Sequence, residues 1–454
     1  MSEKLTEKYL QIIGGKPLRG EVNISGAKNS ALKIVGAALM LGNGKCVIKN
    51  IPHLSDMSVM AEIVQILGGE ITLDDRTIEM DCSNLSSNYV PLTLANKLRA
   101  SIVCLGSLLA RFKEVKIAMP GGCNIGARKI DLHLKGLKAL GAKITEEHGF
   151  IHAKADRLIG TKIYLDIPSN GATENIMLAA TMAEGETIIE NAAQDPEIVD
   201  LANFLNKMGC DIRGAGTSNI HIQGKTLADL HSVEHFCIPD RIEAATYLIA
   251  GAMTDGEVTA KNVIEEDLQS LLSKLEDAGV KVQIFPTGEM IDGRELVDIK
   301  VSREGERLQA TDITTVWYPG FSTDIQPIFS TMLAIAEGAS VVKENIYDSR
   351  FQHADELKKM TANVDINAKL AVFKGVKGLK SASVEGKDLR SAAALVVAAL
   401  AAEGTSEVRG LKHLDRGYED LEAKFIKLGA TIKRVSVAEN LTLSRDNSTV
   451  VENL

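Results

Sequence analysis

Aromatic residues are scarce in this sequence, at 4% of 454 residues, so its core must be built from Leu, Ile, Val and Ala. Excess positive charge is also missing: the net charge of −9 argues against nucleic acid as a partner, since proteins that bind it usually carry basic surfaces. No apolar run is long enough to cross a bilayer, and the opening stretch MSEKLTEKYLQII lacks a signal-peptide core. These absences predict a cytoplasmic protein that works on neither nucleic acid nor membrane.

Paired cysteine motifs are missing as well. None of the six cysteines belongs to a CxxC pair, so their spacing supports neither a metal site nor a small disulfide framework. The six are Cys46, Cys82, Cys104, Cys123, Cys210 and Cys237. Cys46, Cys104 and Cys210 stand in apolar surroundings and are predicted to be buried thiols.

What the sequence does contain is one pattern repeated six times. Each copy reads as the end of an apolar helix, a turn usually made with Gly, and a strand; the copies lie at 41–50, 108–117, 183–191, 254–262, 336–345 and 402–410. A second, shorter pattern, such as LGGEIT at 67–72 and LGATIK at 428–433, lies between the copies. Self-similarity with a period of about 70 residues indicates one α/β unit used six times.

The helices before these turns predict the architecture. Segments such as SAAALVVAALAA at 391–402 are apolar nearly all round, which is typical of buried helices, whereas DLHLKGLKALGA at 131–142 is amphipathic. We therefore predict an α/β fold with two inside-out domains, each of three repeated units with buried helices and outer sheets. The predicted boundaries are 28–239 for the first domain and 1–27 plus 240–454 for the second. A cleft between two such domains is a favoured place for a ligand.

Basic residues stand at the predicted starts of several buried helices. They are Lys28, Arg99, Arg241 and Arg390, with Asp324 at the equivalent place in the fifth unit. A cation at a helix N-terminus is locally unfavourable, and such termini bind phosphate and carboxylate well, so the pattern favours an anionic ligand. The alternative is a set of structural ion pairs, for example between Arg241 and Asp240 or Glu243.

The stretch PGGCNIGARKIDLHL at 120–134 concentrates reactive residue types. Its glycines predict a mobile loop, and Cys123 stands at the centre of that loop with Arg128, Lys129 and His133 nearby in sequence. A thiol on an exposed loop near cations is expected to react readily. The alternative is a cysteine that simply lies on a turn.

Several of these segments resemble one enzyme family. SGAKNSAL at 25–32, LRAS at 98–101, PGGCNIGAR at 120–128, PDRIEAAT at 239–246, STDIQ at 322–326 and DRGYEDLEAKFIKLGA at 415–430 are similar to the UDP-N-acetylglucosamine 1-carboxyvinyltransferases. The resemblance runs from about residue 11 to about residue 436. It implies the same two-domain fold and transfer of the enolpyruvyl group of phosphoenolpyruvate to the 3′-hydroxyl of UDP-N-acetylglucosamine, the first committed step of peptidoglycan synthesis. Both partners are small molecules, and the chemistry needs no metal or organic cofactor.

The resemblance also implies roles for individual residues. Cys123 matches the family's proton donor, which the antibiotic fosfomycin modifies, and Asp324 matches the proposed base for the sugar hydroxyl. A helix N-cap is the alternative role for Asp324. Asp388 is expected to steer the reacting groups, and Lys28 and Arg416 complete the catalytic set. The nucleotide sugar is expected to bind before phosphoenolpyruvate, and the loop of Cys123 is expected to close over the cleft after the sugar binds.

The two substrates are assigned separate sets of residues by the same resemblance. The phosphoenolpyruvate set is Lys28, Asn29, Arg128, Arg350, Arg390 and Arg416. The UDP-N-acetylglucosamine set is Arg99, Arg128, Lys129, Ile130, Asp131, Leu132, Ile167, Pro168, Ser169, Asn170, Gly171, Asp324 and Ile346. Val103, Lys129 and Asn170 depart from the family's usual pattern and leave details of sugar contact open. Glu197 is interpreted either as a partner for a cation or as a solvated carboxylate.

Three rival functions follow from the same residues. A sister transferase acts on shikimate 3-phosphate, but its signature begins with a PGSKS-like stretch and lacks the PGGC loop. An inactive paralogue that binds nucleotide sugar and regulates the pathway would not need the set Lys28, Cys123, Asp324 and Arg416. An RNA-end-processing enzyme on a related repeat fold is disfavoured by the net charge of −9. The sequence predicts no oligomeric state.

Overall fold

The computed structural model of the protein describes residues 7–120 and 130–437. The predicted site residues Cys123, Arg128 and Lys129 therefore lie outside the described residues. The described chain opens with two strands, β1 (Glu7–Ile13) and β2 (Arg19–Asn23).

The next part of the chain, up to residue 236, contains three helix–strand units. The first unit consists of α1 (Lys28–Ala38), β3 (Lys45–Lys49), α2 (Ser55–Ile66), β4 (Glu70–Asp74) and β5 (Thr77–Asp81). The second consists of β6 (Tyr89–Val90), α3 (Leu92–Ala95), a 3₁₀ turn (Arg99–Ile102), α4 (Val103–Phe112), β7 (Glu114–Ala118), α5 (Asp131–Ala139), β8 (Lys143–Glu147) and β9 (Phe150–Lys154). The third consists of β10 (Lys162–Tyr164), α6 (Asn170–Ala180), β11 (Glu186–Glu190), α7 (Pro196–Lys207), β12 (Asp211–Arg213), β13 (Asn219–Gln223), a 3₁₀ turn (Leu227–Asp229) and β14 (Val233–Phe236).

Three further units follow. The fourth consists of α8 (Arg241–Met253), β15 (Glu257–Val263), a 3₁₀ turn (Glu265–Leu268), α9 (Gln269–Asp277), β16 (Lys281–Ile291) and β17 (Arg294–Ser302). The fifth consists of β18 (Ile313–Thr314), α10 (Gln326–Leu333), β19 (Ala339–Lys343), α11 (Gln352–Lys359), β20 (Asn363–Asn367) and β21 (Leu370–Lys374). The sixth consists of β22 (Ser383–Glu385), α12 (Leu389–Ala401), β23 (Thr405–Arg409), α13 (Leu411–Leu414), α14 (Leu421–Lys427) and β24 (Thr431–Val437).

All six described sheets have four strands and the same topology. In each, an edge strand pairs in parallel with the strand that follows the buried helix, and that strand pairs with an antiparallel hairpin, as in the order β6-β7-β9-β8. Two sheets take a strand from a distant part of the chain: β14 closes the sheet of β3, and β2 closes the sheet of β15. The N-terminal β1 replaces one hairpin strand in the sheet of β23 and β24. Six repeats of one sheet topology are the structural form of the repeated sequence pattern.

One helix of each unit lies inside the sheets because its surface is apolar on nearly all sides. Helix α12 is the clearest example, with buried residues at nearly every position from Arg390 to Leu400. The main apolar core of the described residues divides into two clusters, one formed by residues between 31 and 237 and one by residues 10–24 and 242–432. These clusters support the predicted domain boundaries at 28 and 240, which stay a prediction. None of the described helices combines the length and the apolar surface that crossing a membrane requires.

The chain passes between the two cores through two short segments that lie side by side. We call residues 24–27 and 237–240 the crossovers. The amide of Ala27 donates to the carbonyl of Ile238 at 2.7 Å, and the amide of Asp240 donates to the carbonyl of Ser25 at 2.8 Å. A third, small apolar cluster of Ala27, Ile238, Ile264, Ile291 and Leu296 packs around them.

Replacing Gly26 by Ala is expected to destabilise the protein. A methyl group added to Gly26 would lie 1.6 Å from the carbonyl oxygen of Asn50, so the backbone of the crossover must shift. We expect a loss of at least about 2 kcal/mol in the free energy of unfolding, measured with urea. Gly378→Ala is the matched control, because a methyl group there meets nothing within 4 Å. Equal stability of the two variants would contradict the tight packing of the crossover.

Candidate active site

Two cations from opposite cores meet one carboxylate. Lys28 begins α1, and its Nζ lies 2.7 Å from Oδ2 of Asp56 in the first turn of α2. Arg416 follows α13, and its Nε donates to Oδ1 of Asp56 at 2.8 Å. Asp56 and Lys28 are buried, whereas Arg416 is partly exposed. A single carboxylate therefore holds two basic groups that the sequence assigned to an anion.

The electrostatic surroundings of Lys28 suit an anionic ligand. Burial lowers the pKa of Lys28 below its usual value, Asp56 opposes that shift, and the positive charges of Arg390 and Arg416 add to it. The effects of Arg390 and Arg416 also mean that both lie within electrostatic range of Lys28. An anion bound among these groups would stabilise the charged form of Lys28.

A second carboxylate, Asp324, also lies between two cations. Its Oδ1 accepts a hydrogen bond from Nη2 of Arg350, and its Oδ2 accepts from Nη2 and Nε of Arg390 at 3.1 and 3.2 Å. Both arginines are buried, while 28% of the Asp324 side chain is exposed. Asp324 does not cap α10, because that helix begins at Gln326 and has no side-chain cap. The N-cap alternative for Asp324 is therefore wrong, and its carboxylate faces the cations.

Asp388 does cap a helix, and it also lies beside Arg350. Its Oδ1 accepts from the backbone amides of Arg390 and Ser391 at 2.9 and 3.2 Å, which fixes the first turn of α12. The same oxygen lies 3.6 Å from Nη1 of Arg350. Within the described part of the chain, the buried Oδ2 of Asp388 has no hydrogen-bond partner. One carboxylate thus orients a helix start and keeps one oxygen unused.

Arg390 is held charged by its neighbours. Burial alone would lower its pKa, but Asp324, Tyr418 and Asp240 together raise the pKa above its usual value. The Tyr418 ring lies 5.7 Å from the guanidinium, and its hydroxyl bonds to Thr246 at 2.8 Å. The permanently charged arginine is thus fixed in place before any ligand arrives.

These residues form one cluster that we call the cation cluster. It contains Lys28, Arg350, Arg390 and Arg416 together with Asp56, Asp324 and Asp388. The cations are paired, as the ion-pair alternative predicted: Asp56 contacts Lys28 and Arg416, and Asp324 contacts Arg350 and Arg390. Each of these two carboxylates thus occupies a position between two cations that a ligand anion can take over.

Arg241 is a correction to the anion hypothesis. Its guanidinium is buried, and it contacts Oδ1 of Asp195 at 3.0 Å and both oxygens of Glu197 at 3.2 Å. Asp240 and Glu243, the partners suggested by the sequence, form other contacts. Asp240 caps α8, and Glu243 accepts hydrogen bonds from Lys424 and from the amide of Ser25. Arg241 is thus an ion-paired residue between the two cores, and Glu197 is its partner rather than a solvated carboxylate.

Two stretches assigned to the nucleotide sugar begin neighbouring helices. Asp131 starts α5, and Ser169 caps α6 by accepting from the amide of Ala172 at 3.4 Å. His133 joins the two helices: its Nδ1 pairs with Nδ2 of Asn175 at 2.9 Å, and its ring leaves no room for a methyl group on Gly171. The helix starts at 130–132 and 167–171 therefore lie close together.

The other predicted contacts lie on several different elements. Asn29 is exposed beside the buried Lys28, Arg99 begins the 3₁₀ turn before α4, and Ile167 is exposed. The amide of Ile346 donates to Oε1 of Glu344 at 2.8 Å, next to the arginine-bearing stretch that ends at Arg350. The sequence missed Asp56 and Asp195. The signal that could have found them is the need of a buried Lys28 or Arg241 for a counter-ion.

The described cysteines do not offer a reactive thiol. All five are buried, which confirms the prediction for Cys46, Cys104 and Cys210. Burial raises the pKa of each of these three thiols to about 12, so they stay protonated.

Comparisons with known proteins show the family to which this chain belongs. The family described as EPSP synthase (3-phosphoshikimate 1-carboxyvinyltransferase) matches residues 12–425. A protein named UDP-N-acetylglucosamine 1-carboxyvinyltransferase 3, from Caldanaerobacter subterraneus subsp. tengcongensis, is 48% identical over 429 residues, which cover 94% of this chain and 99% of that relative. A protein named UDP-N-acetylglucosamine 1-carboxyvinyltransferase, from Trichormus variabilis, is 47% identical over 430 residues, covering 94% of this chain and 93% of the relative.

Solved structures confirm the predicted fold class. The enolpyruvyl transferase NikO from Streptomyces tendae superposes with a TM-score of 0.85 at 26% identity, covering 95% of this chain and all of that one. An EPSP synthase from Acinetobacter baumannii gives a TM-score of 0.73 at 18% identity, with the same coverage, and bears on the fold alone. This chain therefore belongs to the enolpyruvyl transferases, in the family of UDP-N-acetylglucosamine 1-carboxyvinyltransferases.

Proposed function

We propose that this protein transfers the enolpyruvyl group of phosphoenolpyruvate to the 3′-hydroxyl of UDP-N-acetylglucosamine and releases phosphate. The observation that carries the proposal is the cation cluster between the two cores, in which Asp56 and Asp324 each hold two cations. The relatives at 48% and 47% identity bear the name of this activity. In cells that make peptidoglycan, the reaction opens its synthesis.

The carboxylates act as placeholders for the substrate's negative groups. The phosphate of phosphoenolpyruvate takes over Lys28 and Arg416 from Asp56, joined by Arg128, which lies outside the described residues. The substrate carboxylate takes over Arg390 and Arg350 from Asp324. Because each exchange replaces one charge-assisted hydrogen bond by another, the cations are oriented before binding and reorganise little.

This exchange also increases the ability of Asp324 to accept a proton. While two guanidinium groups contact its carboxylate, they stabilise the charged form and weaken its attraction for a proton. Once phosphoenolpyruvate engages Arg350 and Arg390, that stabilisation falls and Asp324 can accept the proton of the sugar 3′-hydroxyl. The base is thus activated by the binding of phosphoenolpyruvate.

The reaction then proceeds by addition and elimination. The sugar oxygen bonds to C2 of phosphoenolpyruvate while its proton passes to Asp324, and C3 gains a proton, which gives a tetrahedral phospho-ketal. In the second step C3 loses a proton, the C2–O bond to phosphate breaks, and the enol ether forms. Asp388, whose Oδ2 has no hydrogen-bond partner among the described residues, is proposed to orient the reacting groups, and the cations stabilise the departing phosphate.

Cys123 is proposed as the donor of the proton to C3. This assignment rests on the PGGC motif, because the residue lies outside the described residues. The other five cysteines are buried away from solvent, so Cys123 is the thiol whose alkylation should affect activity. Binding of the nucleotide sugar first, followed by closure of the loop at 120–130, stays a prediction.

The acceptor distinguishes this function from its sister activity. We expect phosphate release from phosphoenolpyruvate with UDP-N-acetylglucosamine to exceed release with shikimate 3-phosphate by at least about a thousandfold in kcat/KM. The measurement is a continuous phosphate assay with each acceptor at matched concentrations. Faster release with shikimate 3-phosphate would identify the sister enzyme, and no release with either would favour a regulatory paralogue.

A further inference from the structure

The hairpin of the fourth unit is longer than those of its sister units. In the hairpins β4–β5, β8–β9 and β20–β21, both strands have five residues. Strand β16 has 11 residues and β17 has nine, joined by a turn at Asp292 and Gly293. Since all six units otherwise share one topology, the extra length of this hairpin is not needed to complete its sheet.

The additional part of the hairpin packs on the crossovers. Ile291 and Leu296 are buried there against Ala27 and Ile238, one residue from each crossover. Gly26 and Pro239, the chain neighbours of Ala27 and Ile238, pair with each other in an antiparallel bridge. The hairpin tip therefore covers the only two places where the described chain passes between the cores.

Polar contacts connect the same tip to α7 in the other core. Asp292 forms an ion pair with Lys207, the last residue of α7. Nζ of Lys207 also lies 3.3 Å from Nδ1 of His235, and Nε2 of His235 pairs with Oδ1 of Asp200 at 2.9 Å. Oδ2 of Asp200 accepts from the hydroxyl of Ser30, two residues after Lys28, and from the amide of Ile238 at 3.4 Å. A continuous polar chain thus runs from the hairpin tip to the helix start that carries Lys28.

The donor atoms of Asp200, His235 and Asp292 lie close enough together to resemble a metal site. Lys207 contacts two of these three residues, so an ammonium group already supplies positive charge to the cluster. We interpret the cluster as an ion-pair network and not as a metal site.

Helix α7 is tied to the second core at both of its ends. At its start, Asp195 and Glu197 hold Arg241 of α8, and at its end Lys207 holds Asp292. On the other side, Arg294 anchors the hairpin tip to its own core through Asp267 at 2.8 Å. A change in the angle between the cores must therefore strain either the Arg241 contacts or the Asp292 contacts.

We propose that residues 286–297 of this hairpin form a strap that bridges the cores at the crossovers and positions the start of α1, so that Lys28 points at the anion site. Lys207 and Asp292 are its positioning residues, and neither touches substrate. The strap limits how far the two cores can rotate apart. The kinetic part of this inference rests on the proposed function, whereas its structural part does not.

The test compares variants of the ion pair between Lys207 and Asp292 with a variant of a second ion pair on the same hairpin. Lys207→Met and Asp292→Asn each remove the ion pair, and Asn at 292 keeps a residue suited to the turn. We expect backbone amides of Ala27 and Asp240 to exchange with deuterium about tenfold faster in either variant, in the absence of substrates. We also expect KM for phosphoenolpyruvate to rise about fivefold while kcat stays within about twofold.

Two further variants make the test specific. The charge-swapped protein, with Lys207→Asp and Asp292→Lys together, is expected to recover most of the amide protection and of KM, which a purely local packing role would not give. Lys281→Met removes the exposed pair with Glu304 at the base of the same hairpin and should leave both readouts unchanged. Unaltered exchange at Ala27 and Asp240 in the single variants overturns the strap, and altered exchange with unaltered KM overturns its role in positioning Lys28. Loss of turnover in the unmodified protein would instead count against the proposed function.

Discussion

Asp324→Asn is expected to lower kcat by a factor of about 10² to 10⁴, the usual range for loss of a general base. The amide keeps the size of the side chain but cannot accept the sugar proton, and it no longer holds Arg350 and Arg390 by charge. Phosphoenolpyruvate should therefore bind the variant at least as tightly as the unmodified protein, because it no longer displaces a carboxylate. The prediction is a loss in kcat without a matching loss in substrate affinity.

Steady-state phosphate release gives kcat, and isothermal titration calorimetry gives substrate binding. Asp365→Asn is the matched control, since Asp365 pairs with Lys374 at 2.9 Å on an exposed sheet. An Asp324→Asn protein with kcat within about threefold of the unmodified protein would remove Asp324 from the proton transfer.

Lys28→Met is expected to lower kcat/KM for phosphoenolpyruvate by at least about a hundredfold. The variant loses a buried cation at the phosphate, and Asp56 then pairs with Arg416 alone, so the substrate must displace the stronger remaining pair. Lys28→Arg should restore only part of the loss, because a planar guanidinium does not reproduce the geometry of an ammonium group.

The control for this variant is Lys374→Met, which removes an exposed lysine of the same surface pair. Unfolding in urea should show that Lys28→Met remains folded, since Asp56 keeps one partner. If kcat/KM for phosphoenolpyruvate is unchanged while kcat/KM for the nucleotide sugar falls, Lys28 serves the other substrate, and the assignment of the phosphate site is wrong.

The repeated pattern was sufficient to predict the six units and their buried helices. Helix α12, for example, is apolar on every side, and a helix with such a surface is predicted to be buried. The cations at the helix starts were also visible in the sequence, because Lys28 and Arg390 interrupt apolar stretches. Periodicity and residue type are local properties, so the sequence alone displays them.

The counter-ions of these cations could not be predicted in the same way. Arg416 and Asp56 are separated by 360 positions in the sequence, and Arg241 and Glu197 by 44. In sequence, Asp56 resembles an ordinary first-turn acid of an amphipathic helix, and its burial follows from the docking of the two cores. Asp324 looks like an N-cap for the same reason, since only the fold brings Arg350 and Arg390 to it.

The strap could be predicted from the sequence in part: its length could, and its partner could not. Its Asp-Gly turn at 292–293, preceded by the apolar residues Met290 and Ile291, is a recognisable hairpin signal, and the spacing of the fourth unit could have revealed the extra length. Its contact with α7 could not have been predicted, because Lys207 is one of many lysines that end amphipathic helices. Length can be read from sequence, whereas the partner of the additional segment depends on how the cores face each other.

The central claim is that the cations between the cores bind phosphoenolpyruvate for attack by the sugar 3′-hydroxyl. The most direct test measures phosphate and the enolpyruvyl ether together, by colorimetry and mass spectrometry, with UDP-N-acetylglucosamine and with its 3′-deoxy analogue. The account predicts equal amounts of both products with the natural acceptor, and neither product with the analogue although it still binds. Phosphate release with the 3′-deoxy analogue, or an ether formed at another position, would contradict it.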